Sequence, residues 1–278
     1  MKVVLFCGGL GTRLRDYSEN VPKPLVPIGY RPILWHVMKY YAHFGHKDFI
    51  LCLGYMADKV KEYFLTYKEY LSNDFTMTNG GREIQLMKSD IHDWRITFVD
   101  TGLTSNIGQR LKQVEPYLDG EELFLANYTD GLTDLPLDKM IEEFQASRKV
   151  AAFVCARPSQ SFHVVTLKEN GSVENIQYVR DAGILINGGY FVLRKEIFNY
   201  IGEGEDLVIQ PFQRLIQEDL LLGYKYDRFW CMDTFKEQQE LTDMFNQGHA
   251  PWELWRKPEL RPSDRTPGKP GAVERLHL

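Results

Sequence analysis

A glycine-rich loop directly after a short apolar run is the first segment with residue types and spacing suited to chemistry. Phe6-Cys7 leads into Gly8-Gly9-Leu10-Gly11-Thr12-Arg13. Glycines let the backbone turn and let amide groups approach an anion closely. A helix predicted to start near the end of the loop would add its positive pole, and Arg13 would add a forked cation. The pattern indicates a phosphate-binding loop, with an ordinary glycine turn as the alternative.

Two well-known phosphate loops do not match this segment. A dinucleotide-binding fingerprint needs a third glycine at the position where Leu14 stands, and a P-loop ends in a Gly-Lys-Ser or Gly-Lys-Thr that is missing here. A lysine follows instead: Lys23 lies ten residues after Arg13, between two prolines. The prolines restrict the backbone and help hold the ammonium in place, whereas a solvated loop lysine is the alternative.

Two aspartates follow apolar runs that are predicted to be buried strands. Asp130 comes after Leu123–Ala126 and before a glycine, and Asp233 lies in Cys231-Met232-Asp233-Thr234. Magnesium takes few protein oxygens and completes its shell with phosphate and water, so such acids beside a phosphate loop are candidate ligands. Turn or cap residues are the alternative, because aspartates before glycine often serve so.

Taken together, these residues resemble the signature of the sugar-1-phosphate nucleotidyltransferases, and most of all that of the glucose-1-phosphate cytidylyltransferases. The glycine loop with Leu14, then Pro22-Lys23-Pro24 and Pro27, carries the resemblance to the superfamily. Further matches run in order over roughly residues 1 to 255: Pro32-Ile33-Leu34-Trp35-His36, Val99-Asp100-Thr101-Gly102, Arg110-Leu111-Lys112, Asp130-Gly131, Ile186-Asn187-Gly188-Gly189, Met232-Asp233-Thr234 and Pro251-Trp252.

The resemblance implies a reaction in which a phosphate oxygen of an acceptor attacks the α-phosphorus of a nucleoside triphosphate and pyrophosphate leaves. A phosphomonoester is already mostly dianionic near pH 7, so this nucleophile needs no general base. Catalysis would rest on positioning and charge neutralisation. The implied roles are as follows: Arg13 at the pyrophosphate, Lys23 at the α-phosphate, Asp130 and Asp233 on Mg²⁺, and Gly8, Gly9, Gly11, Thr12, Gly102 and Arg110 at the nucleotide.

The acceptor side departs from the family pattern. Relatives carry Glu-Lys-Pro about nine residues before the asparagine of Asn-Gly-Gly, and there the lysine binds the sugar phosphate. Nine residues before Asn187 this chain has Tyr178, within Gln177-Tyr178-Val179. Arg180 shares the strand parity of Tyr178 and could replace the lysine, as could Arg157. His163 stands where relatives tend to have a glycine. We therefore expect Asn187, Tyr178, Arg180 and His163 to bind an acceptor that differs from glucose 1-phosphate.

The elements that must position these residues alternate between strand and helix. The expected segments of the first half are strands 3–6, 49–53, 95–99, 123–126 and 150–155, and helices 31–44, 58–71, 111–118 and 137–147. This order predicts an α/β fold, a Rossmann-like, mostly parallel sheet sandwiched by helices, which binds ligands at the carboxyl ends of its strands.

After about residue 156 the pattern changes. Segments 164–167, 172–178 and 184–193 are predicted strands of an antiparallel, acceptor-side addition to the main sheet, followed by a helix at 209–222, strand at 224–233 and a helix at 237–247. By resemblance, residues 1–255 form one nucleotidyltransferase domain, with 1–155 as the nucleotide-binding core and 156–255 as the acceptor-binding part. Residues 259–278 are rich in Pro, Gly and charge, and a disordered tail is expected there.

Composition limits the remaining classes. The net charge of −5 and the lack of a Lys/Arg run argue against nucleic acid, and no apolar stretch reaches membrane-spanning length. Four cysteines without a Cys-x-x-Cys pair indicate small buried side chains and favour the cytoplasm. Three functions stay open: CMP transfer from CTP to a sugar 1-phosphate, the same reaction with another acceptor or triphosphate, and a non-catalytic nucleotide-binding regulator. Relatives form homo-oligomers, so the same is expected here.

Overall fold

A computed structural model describes residues 1–9, 21–159 and 162–256. Within these ranges the strands are β1 (Lys2–Phe6), β2 (Pro27–Ile28), β3 (Arg31–Pro32), β4 (Asp48–Leu53), β5 (Phe75–Thr78), β6 (Glu83–Leu86), β7 (Arg95–Asp100), β8 (Leu123–Asn127), β9 (Gly131–Thr133), β10 (Ala151–Ala156), β11 (His163–Leu167), β12 (Val173–Tyr178), β13 (Ile186–Arg194), β14 (Leu221–Lys225) and β15 (Phe229–Cys231). The helices are α1 (Ile33–His43), α2 (Ala57–Leu65), α3 (Ile107–Val114), α4 (Leu137–Ala146), α5 (Gln210–Gln217) and α6 (Phe235–Asn246).

The central sheet has seven strands in the order β14-β10-β13-β8-β1-β4-β7. All pairs are parallel except those of β13, which is antiparallel to β10 and β8. In β1, Val3 and Leu5 belong to one buried apolar cluster, and Val4 and Phe6 belong to another. Because neighbouring side chains of a strand point to opposite faces, the sheet has a core on each face. The predicted Rossmann-like α/β fold is confirmed.

The antiparallel addition differs from the expectation in one respect. β11 and β12 pair only with each other, and among the three predicted strands β13 alone joins the central sheet. β13 is almost entirely buried, whereas β11 and β12 contain apolar and polar residues and are mostly exposed. A central strand must be apolar on both faces, so strands with this many polar residues could not take that place.

Several predicted boundaries were wrong. The helix expected at 58–71 ends at Leu65, and the helix expected at 209–222 ends at Gln217 because β14 begins at Leu221. Cys7 and Cys52 are buried as expected, but Cys155 and Cys231 are only half-buried. The predicted helix after the glycine loop and the tail at 259–278 lie outside the described residues. No helix in the described part of the chain has the length and apolarity needed to cross a bilayer.

The last described segment packs on α1 through a buried His–Glu contact. His36 Nε2 donates to the Ile28 carbonyl at 3.1 Å, and His36 Nδ1 lies 4.0 Å from Glu253 Oε1. Neither Nδ1 nor Oε1 has a hydrogen-bond partner among the described residues. Burial raises the pKa of Glu253 to about 7, against the opposing charge of Arg256, and burial lowers the pKa of His36 to about 4. Near neutral pH, Glu253 is therefore a carboxyl that resists losing its proton.

This contact predicts a pH-dependent stability. A carboxyl whose pKa is raised by folding stabilises the protein fully below its unfolded pKa, and this contribution is lost as pH rises through about 7. We expect Glu253→Gln to match the wild type near pH 5 and to exceed its free energy of unfolding at pH 8 by about 2 kcal/mol. Chemical denaturation at both pH values measures this difference. A wild type more stable than the variant at pH 8 would contradict the assignment, and the exposed Glu62→Gln is the control.

Candidate active site

A cavity of about 560 Å³ opens where the parallel strands β1 and β8 end. Gly8 and Gly9 follow β1, and Tyr128 to Asp130 follow β8. β13 runs in the opposite direction, so its first residues, Ile186 to Gly188, meet the same edge. The cavity therefore lies at the sheet edge where open α/β folds bind their ligands.

Gly8, the first residue of the glycine loop, is held in place by a buried arginine. Arg110 Nη1 donates to the Leu53 carbonyl at 3.0 Å and to Thr101 Oγ1 at 2.6 Å, and Nη2 donates to the Gly8 carbonyl at 3.1 Å. A Cβ on Gly8 would lie 2.1 Å from Arg110 Nη1, so no larger residue fits without moving the guanidinium. Arg110 thus ties together the ends of β1, β4 and β7. Arg110 lines the cavity, but its bonds go to protein oxygens, so its role at the nucleotide stays a prediction.

The other residues that were predicted to bind the nucleotide lie in different places. Gly9 lines the cavity. Gly102 does not line it but packs behind it, since a Cβ on Gly54 would lie 2.8 Å from both the Gly102 and Gly8 carbonyls. Gly11, Thr12 and Arg13 lie outside the described residues, so their assignments stay predictions.

Lys23 and the two predicted metal ligands meet in the cavity. Lys23 Nζ lies 2.8 Å from Asp130 Oδ2 and 2.6 Å from Asp233 Oδ1. A small antiparallel pair explains how acids so far apart in sequence converge: Gly131 of β9 pairs with Cys231 of β15, and the Met232 amide donates to the Asp130 carbonyl at 2.8 Å. The acids at the ends of this pair are held against the proline-flanked turn at Lys23.

The ammonium is electrostatically fixed by these acids. Burial lowers the pKa of Lys23, but the charges of Asp130 and Asp233 outweigh that effect and the net shift is upward. Burial raises the pKa of Asp130, against the opposing influence of Lys23. The Lys23 ammonium is therefore shared by two partly buried carboxylates, those of Asp130 and Asp233.

The donor chemistry of this group fits a hard divalent cation. Asp130 and Asp233 offer only carboxylate oxygens, and they already converge on one positive group. Within residues 1–9, 21–159 and 162–256, no cluster of three or more His, Cys, Asp or Glu side chains could hold a metal. Mg²⁺ is commonly held by one or two carboxylates together with substrate phosphates and water. The two carboxylates therefore fit the few protein ligands that Mg²⁺ needs.

Of the four residues expected to bind the acceptor, only Asn187 lines the cavity. Its Nδ2 donates to Tyr128 Oη at 3.2 Å, and its Oδ1 accepts from the Gly189 amide at 2.8 Å. His163, Tyr178 and Arg180 do not line the cavity, and all three are exposed.

His163 and Arg180 instead each contact Tyr178 at the end of the β11–β12 hairpin. The rings of His163 and Tyr178 lie 4.4 Å apart, and the Arg180 guanidinium lies 5.3 Å from the Tyr178 ring centre. Arg157, the other candidate cation, is half-exposed and pairs with Asp227 at 3.3 Å. Among the described cavity residues, the only cations are Lys23 and Arg110, and both are engaged by protein oxygens.

Sequence reasoning missed several residues of the cavity. Tyr128 and Asp206 line it without an assigned role, whereas Ser105 and Asn106 fall in the segment from Asp100 to Arg110, which the family resemblance places at the base pocket. Asn106 does carry a local signal: it opens α3 with a capping box to Gln109, and Asn-x-x-Gln before an apolar run is a recognisable helix start.

Comparisons with known proteins identify the family of this chain. The profile of the nucleotidyl transferase family matches residues 2–234. A probable glucose-1-phosphate cytidylyltransferase of Bacillus subtilis is 36% identical over 258 residues, which is 92% of this chain and 100% of that protein. The glucose-1-phosphate cytidylyltransferase of Salmonella typhimurium has the same identity and coverage.

Solved structures share the fold. A UDP-glucose pyrophosphorylase complexed with UDP-glucose superposes with a TM-score of 0.66 at 16% identity, covering 89% of this chain and 98% of that one. A putative glucose-1-phosphate thymidylyltransferase of Bacillus anthracis gives a TM-score of 0.64 at 17% identity, covering 88% and 94%. With the profile match over most of its length and relatives of this identity along the whole of theirs, the chain belongs to the nucleotidyl transferase family.

Proposed function

We propose that this enzyme transfers CMP from CTP to a sugar 1-phosphate and releases pyrophosphate. The observation that carries the proposal is the contact of Lys23 with Asp130 and Asp233 in a cavity bordered by the glycine loop. The full-length similarity to glucose-1-phosphate cytidylyltransferases supports the choice of base and acceptor class. The reaction class follows from the family.

Each residue has a proposed task in this reaction. Lys23 binds the α-phosphate and offsets the negative charge that accumulates there as the acceptor oxygen approaches. Asp130 and Asp233 would hold Mg²⁺, which when bound neutralises triphosphate charge. Arg13 binds the pyrophosphate portion. The backbone of Gly8 and Gly9 borders the nucleotide, and Arg110 keeps that backbone in place through its bond to the Gly8 carbonyl.

The proposed reaction does not require the site to supply a general base for the attacking oxygen. The attacking oxygen belongs to a phosphomonoester that is already mostly dianionic near pH 7. No His lines the cavity among the described residues, and no nucleophilic side chain is required. Rate acceleration then comes from holding two phosphates in line and from charge neutralisation.

A second candidate keeps the reaction but changes the acceptor. It is favoured by Tyr178 at the family's lysine position and by the exposed location of Tyr178, Arg180 and His163. A phosphate-binding cation on the acceptor side is therefore missing from the described cavity, where relatives use a lysine.

The proposal includes a compartment and an assembly state. Four cysteines, none of them in a Cys-x-x-Cys motif, fit a reducing cytoplasm, which also supplies nucleoside triphosphates. By resemblance the protein is a homo-oligomer, and light scattering coupled to size exclusion would measure the number of subunits.

A panel of substrates tests the proposed function. Pyrophosphate release is measured for the four common ribonucleoside triphosphates, each paired with glucose 1-phosphate, other sugar 1-phosphates and non-sugar phosphomonoesters. We expect the highest kcat/KM with CTP and a sugar 1-phosphate. Full turnover with glucose 1-phosphate would exclude the altered-acceptor candidate, whereas a preference for another triphosphate would contradict the assignment of the base.

A further inference from the structure

Thr129, directly before the proposed metal ligand Asp130, has a backbone conformation that its side chain disfavours. Its φ is 66°, in the left-handed region, and no other β-branched residue in the described part of the chain has a positive φ. In this conformation a branched side chain crowds the following carbonyl. Thr129 is also only 2% exposed, so solvent contact does not relieve the crowding. Such strain persists only where the surroundings hold the residue, and it is concentrated at functional sites.

Two hydrogen bonds hold Thr129 in this conformation. Its amide donates to Asn127 Oδ1 at 2.7 Å, and its Oγ1 donates to the Phe6 carbonyl at 3.0 Å. Asn127 is itself buried, and its Nδ2 donates to Tyr41 Oη at 3.2 Å. The two partners of Thr129 are therefore fixed by the core, one at the end of β8 and the other at the end of β1.

The Thr129 hydroxyl connects β1 and β8 beyond the point where their backbone pairing ends. The last residues paired between these strands are Leu5 and Asn127. From there β1 leads through Phe6 to the glycine loop, and β8 leads through Thr129 to Asp130. The hydroxyl bond to the Phe6 carbonyl therefore joins the segment that borders the glycine loop to the segment that carries the acid.

The Asp130 backbone is fixed on its other side as well, because its carbonyl accepts from the Met232 amide at 2.8 Å. The single hydroxyl hydrogen of Thr129 goes to the Phe6 carbonyl and not to a base, so the side chain is not set up as a nucleophile. What the hydroxyl bond supplies is a fixed direction for the backbone that leads into Asp130. A carboxylate held in a fixed direction by its supporting hydrogen bonds is a better metal ligand than a mobile one.

We propose that Thr129 is a positioning residue for nucleotidyl transfer. Its hydroxyl bond to Phe6 sets the direction from which the Asp130 carboxylate faces the glycine loop, and thereby the geometry of the proposed Mg²⁺ site. A glycine at this position would adopt the same φ without crowding but could not form the bond. The inference rests on the proposed function and deepens it.

Three substitutions separate the hydroxyl from the backbone strain. Thr129→Gly removes both, Thr129→Val keeps the branched shape without the hydroxyl, and Thr129→Ser keeps the hydroxyl. We expect kcat to fall about 10- to 100-fold in the Gly and Val variants, because a displaced reacting group has effects of this size. Thr129→Ser should stay within about threefold of the wild type, and KM for the sugar 1-phosphate should change less than about twofold in all three.

Melting temperatures distinguish positioning from simple loss of stability. Thr129→Gly should melt within about 4 °C of the wild type, because relief of the strain offsets the lost hydrogen bond, although its kcat falls. The rise in melting temperature on adding MgCl₂ should be smaller in the Gly and Val variants than in the wild type and Thr129→Ser.

Asn79→Gly is the matched control. Asn79 has a φ of 51° in the exposed turn between β5 and β6, and it does not line the cavity. This change also places a glycine at a left-handed position, but it touches no part of the proposed site. We expect it to leave kcat and the response to MgCl₂ unchanged.

Two kinetic outcomes overturn the inference: a normal kcat in Thr129→Gly or Thr129→Val, or a loss in Thr129→Ser as large as theirs. Failure of the proposed function shows separately, as absence of turnover by the wild type with every substrate pair. In that case the response to MgCl₂ decides. A smaller rise in melting temperature in the Gly and Val variants than in the wild type supports the role of Thr129, and equal rises, or none in any protein, overturn it.

Discussion

Asp130→Asn should lower kcat about 10³-fold or more while leaving the fold intact. The variant keeps a side-chain oxygen for Lys23 Nζ, which now lies 2.8 Å from Asp130 Oδ2. It loses the negative charge, so the proposed Mg²⁺ site would retain a single carboxylate, that of Asp233. Single-turnover kinetics with CTP would measure the loss, and circular dichroism would confirm the fold.

A nearby aspartate provides the matched control. Asp134 follows β9 and does not line the cavity; it pairs with Arg228 at 2.5 Å and accepts from Tyr226 Oη at 3.0 Å. We expect Asp134→Asn to change stability modestly and to leave kcat within about twofold of the wild type, because it touches no reacting group. Nucleotidyl transfer at normal speed by Asp130→Asn would refute the metal assignment.

Lys23→Ala should have the second-largest effect, a loss of kcat of about 10² to 10³-fold. The ammonium is the proposed contact to the α-phosphate, where charge accumulates in the transition state. Its removal also leaves Asp130 and Asp233 facing each other without their shared cation. The melting temperature should therefore fall, since like charges in a partly buried site repel.

The melting temperature in the presence of Mg²⁺ provides a second measurement for the Lys23→Ala variant. If the two carboxylates bind Mg²⁺, adding MgCl₂ should raise the melting temperature of Lys23→Ala more than that of the wild type, because the ammonium no longer competes for the same oxygens. Lys59→Ala removes an exposed lysine that pairs with Glu62, outside the cavity, and should respond as the wild type does. An equal shift in all three proteins would argue against a metal site at these acids.

The fold was predictable where the pattern of apolar residues indicates which segments are buried. The buried runs 3–6, 49–53 and 123–126 were found because strands covered on both faces are continuously apolar. The position of β13 between β10 and β8 was not predicted, because local sequence does not determine the order of strands in a sheet. Short elements such as β9 and β15, which bring Asp130 and Asp233 together, carry too few residues for a periodic signal.

The residues of the candidate site were also only partly predictable from the sequence. Lys23, Asp130 and Asp233 are spaced along a recognisable signature, and in the structure they contact one another through the Lys23 ammonium. Tyr178 was identified by counting back from Asn187 and Arg180 by strand parity, but β12 ends at Tyr178, so the parity argument for Arg180 was wrong, and β11 and β12 form a separate sheet. Asp206 lies on an irregular loop whose position depends on packing against α3, and no sequence period reports such packing.

The most direct test of nucleotidyl transfer follows the α-phosphorus of CTP. The protein is incubated with CTP labelled at the α-phosphate, MgCl₂ and the best sugar 1-phosphate of the panel, and the products are separated by anion exchange. Label should appear in a nucleotide–sugar conjugate, with one pyrophosphate released for each labelled product, and Asp130→Asn should form almost none. Label in free CMP alone, or in no product with any acceptor, would contradict the account.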